Sequence, residues 1–229
     1  MAAQYELGKQ KKDYELRILQ AQINPHFLYN TLDLIRWKAA KYQDREIQDL
    51  VISLSRYYRM SLSRGVEFVP LQTELAHIRE YVYIQNQRFD QGVTLSVETE
   101  NGSEACMMPK LTLQPIVENS IYHGILEKMD STGTIMLQSR LEDSCLVIRI
   151  RDNGCGMDEN TLQHLLDGGN REGKSGYGLY NVDQRIKLAY GTMYGLSFES
   201  KVGEGTCVTI RLPESRKEGG KDHAEMSVC

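Results

Sequence analysis

The chain has 229 residues, 41% hydrophobic and 25% charged, with a formal net charge of −4. That length allows one large domain or two small ones with a sizeable core, and the composition excludes a disordered or fibrous chain. There is no basic excess to advertise nucleic acid, and five cysteines without a CxxC exclude a disulfide framework and fit a reducing cytosol. No stretch approaches the roughly 18 apolar residues of a membrane span, and no signal-peptide core is present.

Residues 1–64 contain one glycine, Gly8, and one proline, Pro25, and read as helix. Over residues 4–41, Leu16, Leu19, Ile23, Phe27, Leu34 and Trp37 step by three, four or seven, a helical stripe broken by Gln20 and Asn30. Charges alternate in sign over Glu6–Arg17, as on an exposed or coiled-coil helix. Lys41–Arg45 interrupts the pattern, and Ile47, Leu50, Val51, Leu54, Tyr58 and Leu62 restart it. Two helices joined this way are too thin to bury both faces, so a homodimer packed as a four-helix bundle is expected.

From Val69-Pro70 the texture becomes mixed. Thr73–Arg88 reads as a helix, Val93–Thr99 as a strand and Leu111–Leu126 as a helix. Gly133–Leu141 and Ser144–Arg151 alternate as strands, with Glu142-Asp143 as their turn. Thr161–Leu166 and Leu179–Tyr190 read as helices, and Tyr194–Ser200 and Thr206–Leu212 as strands around a turn at 202–205. The fold class is α+β: a helical hairpin, then a mixed sheet covered by helices on one face. The expected domains are 1–64 (dimerisation helices), 65–72 (hinge), 73–213 (α/β domain) and 214–229 (disordered tail).

Glycines cluster in Asp152-Asn-Gly-Cys-Gly156, Gly176-Tyr-Gly-Leu-Tyr-Asn181 and Gly203-Glu-Gly-Thr206. Glycine permits positive φ and close backbone approach, so such loops can bring N–H groups to phosphate oxygens. Gly178-Leu179 opens a predicted helix, whose N-terminus favours an anion. No P-loop is present, and the glycine spacing is wrong for a dinucleotide fingerprint. A second signal is Leu113–Gly124, where Glu118, Tyr122 and His123 fall near one helix face with Asn119 at its edge. An acid, an amide oxygen and an imidazole beside an apolar stripe suit Mg²⁺ and phosphate handling.

Together these motifs resemble the four boxes of the GHKL ATP-binding superfamily, in order. Glu118-Asn119 resembles the N box, Asp152-x-Gly-x-Gly156 the G1 box, Gly176-x-Gly-Leu-x-Asn181 the G2 box and Gly203-x-Gly-Thr206 the G3 box. The resemblance implies a GHKL-type α/β sandwich that binds ATP and Mg²⁺. It implies that Asn119, and with it Glu118, meets Mg²⁺, and that Asp152 accepts from the adenine amino group. Gly154 and Gly156 would let the backbone approach the base. Gly176, Tyr177, Gly178 and Leu179 would bracket the phosphates, and Thr206 would support the adenine pocket. The lid would be Met157–Ser175, with a polar, glycine-rich stretch suited to moving.

His26 lies in Gln22-Ile-Asn-Pro-His-Phe-Leu-Tyr-Asn30. Pro25 removes a backbone donor, so it kinks the helix or restarts it with Asn24 as N-cap. Imidazole, with a pKa near 6.5, is largely a neutral nucleophile at pH 7. The motif resembles the phosphoacceptor box of YesM/LytS-like sensor histidine kinases, and with the boxes above the resemblance covers residues 15–212. It departs from the wider pattern in three places. Phe27 stands where most such kinases carry an acid, Tyr122 where many carry a phosphate-touching Lys, and Met157–Ser175 holds no Phe. Asn30 then serves to orient the His26 ring, and His123 or Lys174 to supply positive charge.

The resemblance implies ATP-dependent autophosphorylation of His26, the phosphoacceptor, with Glu118 and Asn119 as its catalytic companions. Transfer to an aspartate of a separate response regulator would follow. Such chains act as homodimers and carry membrane-spanning sensors ahead of the catalytic region, so the expectation is a soluble fragment working on the cytoplasmic side of the cell membrane. Two other readings stand beside it: a GHKL ATPase clamp whose hydrolysis drives dimer closure, and a nucleotide-sensing scaffold that has lost transfer.

Overall fold

A computed structural model of the protein describes residues 25–62, 66–89, 92–166 and 177–215. The chain divides into two compact units, with the boundary between Leu62 and Ser63.

The first unit is a helical hairpin, α1 (Pro25–Lys41) and α2 (Arg45–Ser61). Pro25 occupies the first position of α1, where its missing N–H costs nothing and its fixed φ suits a helix. The stretch ahead of it, with the expected cap Asn24, lies outside the described residues. The turn uses Gln43 in the left-handed region (φ 55°), and the Asp44 carboxylate caps α2 by accepting from the Ile47 N–H at 3.0 Å. Leu32, Ala39 and Val51 are buried between the helices, while Phe27 (71%), Trp37 (64%) and Leu34 (53%) remain exposed.

The second unit is a mixed five-stranded sheet with helices on one face. Its strands are β2 (Val93–Thr99), β4 (Gly133–Glu142), β5 (Cys145–Asp152), β6 (Gly195–Lys201) and β7 (Gly205–Pro213), in the order β2-β4-β5-β7-β6. Only β2 and β4 run parallel; the other neighbours are antiparallel. Register places Ile148 between Ser139 and Ile210, and Ile150 between Leu137 and Val208. Period-2 alternation therefore turns one row from each strand inward. Leu146, Ile148, Ile150 and Asp152 form that row on β5, so a carboxylate ends an otherwise apolar buried line.

The helices are α3 (Leu71–Arg88), α4 (Leu113–Asn119), α5 (Glu159–Leu166) and α6 (Tyr177–Tyr190). Leu71, Leu75 and Ile78 of α3, Leu113 and Ile116 of α4, and Ile186 of α6 are essentially fully buried. Each such side chain contributes roughly 1.5–3 kcal/mol through area removed from water. Asn86 ties α3 to the sheet: its amide accepts from the Val93 N–H at 3.0 Å and donates to the Val93 carbonyl at 2.7 Å.

Several boundaries differ from the sequence expectation. The single helix expected over Leu111–Leu126 is α4 followed by a π-helical turn, Ser120–Ile125. Leu111 lies in the left-handed region (φ 58°). Its N–H and those of Thr112 and Leu113 all donate to the buried Glu74 carboxylate at 2.7–3.0 Å. A distant acid thus caps α4, which no local pattern announces. Two three-residue strands, β1 (Phe68–Pro70) and β3 (Met107–Pro109), pair antiparallel and are too short to show alternation.

Within the 65–72 segment expected as a hinge, Phe68–Pro70 is strand and Leu71 opens α3. The β4–β5 turn is Asp143-Ser144, both at positive φ, and Glu142 pairs with Cys145. Two residues of the expected tail are held: Glu214 N–H donates to Ser144 at 2.8 Å, and the Ser215 carbonyl accepts from Met107 at 2.5 Å. Residues 216–229 lie outside the described range.

Burial pushes the Glu74 carboxyl up, against the pull of the three N–H groups and Arg185. Glu74→Gln keeps the shape but offers one acceptor oxygen where three donors converge. The expected loss is about 1–3 kcal/mol, measured by urea unfolding of the wild type and the variant.

Candidate functional site

The site is organised around Asp152 at the end of β5. Its Oδ1 accepts from the Gly154 N–H at 2.9 Å and the Thr206 N–H at 3.2 Å, and its Oδ2 accepts from Ser120 Oγ at 2.8 Å. Only 3% of the residue is exposed. Burial pushes the carboxyl above its usual range, and the hydrogen bonds from Gly154, Ser120 and Thr206 pull it back. A carboxylate has about four lone-pair sites, so Oδ2 retains capacity for one further donor. Three segments far apart in sequence thus meet at one anion: the loop after β5, the π-helical turn and the start of β7.

The glycines serve this convergence in a way that the sequence reading did not anticipate. A Cβ on Gly154 would lie 2.4 Å from the Gly124 backbone. A Cβ on Gly156 (φ +66°) would lie 2.0 Å from the Lys201 carbonyl, and one on Gly205 (φ +101°) would lie 2.1 Å from the Asp152 carbonyl. The space expected for a base beside Gly154 and Gly156 is filled, on the side where a side chain would stand, by the protein's own backbone. These glycines let three loops touch. Backbone bonds then lock the contact: Cys155 N–H donates to Gly124 at 3.0 Å, and Gly203 N–H donates to Cys155 at 2.7 Å.

Gly178 is different. Among the described residues its Cβ would meet only the Pro115 Cβ, at an ordinary 3.7 Å, and none of them requires glycine there. Gly178 is the second residue of α6, and Leu179 after it is buried, so the helix start is anchored beside α4. Arg185, further along α6, donates to the Leu111 carbonyl at 2.9 Å and to Thr112 Oγ1 at 3.2 Å. The two helices that carry the N-box and G2 residues are therefore bound to each other and to Glu74.

Asn119 ends α4 and donates its Nδ2 to the Pro115 carbonyl at 2.9 Å, a bond that does not use Oδ1. Glu118 beside it is exposed. His123 is exposed, and its Nδ1 lies 3.6 Å from Glu127, so its ring is shared with a carboxylate. Tyr177 opens α6; Lys174 and Gly176 lie outside the described residues, as does the second part of the lid, 167–175. The described part of the lid includes α5, capped by Asp158 Oδ1 on the Thr161 N–H at 2.7 Å. Among the described residues, no group of three or more His, Cys, Asp or Glu is placed to hold a metal ion.

Three contributors escaped the sequence reading. Ser120 and Gly124 face Asp152 and Gly154 only because the turn widens after Asn119. Ser200 pairs in register with Thr206. Its Oγ accepts from the Met157 N–H at 2.8 Å and lies 2.8 Å from Thr206 Oγ1. That pairing was readable once the 202–204 turn was placed, since it puts both hydroxyls on one face.

His26 belongs to the other unit. It is exposed on the first turn of α1, with Asn30 Nδ2 at 3.3 Å from its Nδ1.

Gly154→Ala should be destabilising by about 1–3 kcal/mol or more from overpacking, seen as a lowered Tm. Gly178→Ala should leave Tm unchanged or slightly raised, because a helical Cβ fits there.

Comparison with known proteins agrees with this geometry. A family profile described as "Histidine kinase" matches residues 14–93. A second, "Histidine kinase-, DNA gyrase B-, and HSP90-like ATPase", matches residues 108–216, the greater part of the α/β unit. The chain is 38% identical over 202 residues to sensor histidine kinase YesM of Bacillus subtilis, covering 88% of this chain and 34% of that protein. It is 35% identical over 215 residues to sensor histidine kinase BtsS of Escherichia coli K12 (93% and 36%). It is 30% identical over 234 residues to sensor protein LytS of Bacillus subtilis (98% and 39%). The chain therefore spans little more than a third of the length of these curated relatives. With both profiles matched in order along one chain, and the α/β sandwich in place behind the second, the protein belongs to the sensor histidine kinase family.

Proposed function

We propose that this chain is the catalytic region of a sensor histidine kinase, which transfers the γ-phosphoryl group of ATP to His26 and then to an aspartate of a separate response regulator. The observation that carries the nucleotide reading is Asp152. A buried carboxylate held by three donors from three segments, with one acceptor site unused, is costly to build. An adenine amino group supplies the missing donor, and guanine, with a carbonyl at that position, is excluded.

Asn119 fits a divalent cation, because its amide nitrogen is committed to Pro115 and its oxygen is a hard ligand. Asn119, with Glu118 beside it, would hold Mg²⁺, whose charge would offset that of the transferring group. Gly178 then has a reason to be glycine: a side chain on the first turn of α6 would crowd the phosphates.

At the acceptor, His26 Nε2 attacks the γ-phosphorus in line, the bond to the β–γ bridging oxygen breaks, and ADP leaves. The attacking nitrogen needs its lone pair, so the ring proton must sit on Nδ1. Asn30, one turn on, has its amide 3.3 Å from Nδ1 and accepts that proton's hydrogen bond through its oxygen once the amide is turned over. The Nδ1 proton passes to solvent as phosphohistidine forms. Asn30 thus orients a neutral nucleophile in place of the acid that Phe27 displaces. The exposed Phe27, Leu34 and Trp37 suit burial against a second copy, giving the homodimer. No helix among the described residues is long and apolar enough to cross a membrane. The longer relatives support placing this chain at the cytoplasmic end of a membrane sensor.

Incubation with γ-labelled Mg²⁺-ATP tests the reading. Acid-labile, base-stable label on the protein is expected, and it should vanish in His26→Gln with ATP affinity retained. Label released only as free phosphate would instead make the chain an ATPase clamp. Asn30→Ala should slow labelling about tenfold without moving ATP affinity, the size expected for one orienting hydrogen bond.

Asp152 also sets a pH dependence. Burial holds its carboxyl above the usual aspartate range in the folded protein, and only the ionised form accepts fully from the amino group. Adenosine affinity should therefore fall as pH drops through that raised pKa. Asp152→Asn should bind weakly at every pH, as read by calorimetry with adenosine, which has no titrating phosphate.

A further inference from the structure

Arg88 is the last residue of α3, and its side chain is exposed yet held on two sides. Its Nη1 donates to the Tyr122 hydroxyl at 3.1 Å, and its guanidinium carbon lies 4.9 Å from the centre of the Phe89 ring. The Phe89 and Tyr122 rings meet edge to face at 6.1 Å. Tyr122 in turn donates its own proton to the Gln85 oxygen at 3.2 Å, so its remaining lone pairs turn to the arginine. Fixing a long exposed side chain costs rotamer entropy. Here a buried glutamine and two aromatic rings are arranged to bear that cost at a single guanidinium.

The place of this cluster matters. Tyr122 lies three residues beyond Asn119, in the π-helical turn, and the carbonyl of the next residue, His123, accepts the Cys155 thiol at 3.1 Å. One turn therefore touches Arg88 on one side and the Asp152–Gly156 loop on the other. Through Tyr122, Arg88 is tied to the turn that begins one residue after Asn119. The bond to Tyr122 uses one of the five N–H donors of Arg88; among the described residues no other hydrogen bond takes one, and the planar guanidinium fork suits phosphate oxygens.

We propose that Arg88, presented by Tyr122, is a phosphate-contacting residue of the nucleotide site and supplies there the positive charge that the tyrosine itself lacks. The inference rests on the nucleotide reading above. It makes Arg88 a determinant of triphosphate affinity and Tyr122 its positioning residue.

The test is calorimetric titration of the full chain with Mg²⁺-ATP and, separately, with adenosine, for the wild type, Arg88→Gln, Arg88→Lys and Tyr122→Phe. Arg88→Gln should weaken ATP roughly ten- to hundredfold, the loss expected for charge-assisted hydrogen bonds, and leave adenosine within about twofold. Arg88→Lys should fall between Arg88→Gln and the wild type, because it keeps the charge and loses the fork. Tyr122→Phe should weaken ATP about threefold, with adenosine unchanged, since it removes only the anchor. Equal loss for ATP and adenosine in Arg88→Gln, with or without a lowered Tm, would overturn the proposal and make the arginine a structural cap of α3. Unchanged ATP affinity in that variant would overturn it as well. A wild type that binds neither ligand would overturn the nucleotide reading and this inference together, which separates that failure from the other two.

Discussion

The α/β unit depends on how one buried carboxylate is satisfied. Asp152 sits in the apolar inward row of the central strand, where an unpaired charge would be prohibitive. It is tolerated because Gly154, Thr206 and Ser120 all donate to it. Each donor comes from a different segment, so meeting the charge fixes the loop after β5, the start of β7 and the π-helical turn in one arrangement. Charge-assisted hydrogen bonds are roughly twice as strong as neutral ones, and in a low-dielectric setting they are stiff. The missing side chains at Gly154, Gly156 and Gly205 follow from the same demand, because the three backbones could not otherwise come close enough.

A second carboxylate governs the other end of the site. Glu74 gathers three N–H groups at the start of α4, and Arg185 of α6 reaches the same segment. Helix α4 is thus held at its N-terminus by Glu74 and continues into a turn held by Asp152. Asn119 lies between these fixed points. In the proposed function, where Asn119 would present an oxygen to a cation, such rigidity is what its scaffold would have to supply. The hairpin unit has the opposite character. It buries few large side chains and exposes Phe27, Leu34 and Trp37, so its stability as a lone pair of helices is small, and its geometry is open to influence from whatever packs on it.

Much of the protein was legible before any coordinates. The strand Val93–Thr99 appears as read, and every long helix and strand of the α/β unit lies within a few residues of its expected place. Periodicity is a local property, and amphipathic elements of seven residues or more display it. The glycine motifs were legible for the same reason, as short runs in fixed order. Features shorter than their own period were not: β1 and β3 have three residues each. Nor was the break between α4 and the π-helical turn, since Leu111–Leu126 carries an unbroken apolar stripe and the interruption is imposed from outside.

The amino-acid sequence by itself determined the long elements, the order of the four boxes, the motif around His26 and the family to which these belong. Each is written in neighbouring residues. Only the tertiary structure decided that a side chain at Gly154, Gly156 or Gly205 would run into the backbone of Gly124, Lys201 or Asp152. It also decided that Ser120, 32 residues from Asp152, completes the carboxylate's shell, and that Arg88 meets Tyr122 across 34 residues. Such pairings are set by how packed surfaces meet, and no local pattern of side chains records which distant atom will fill a given space.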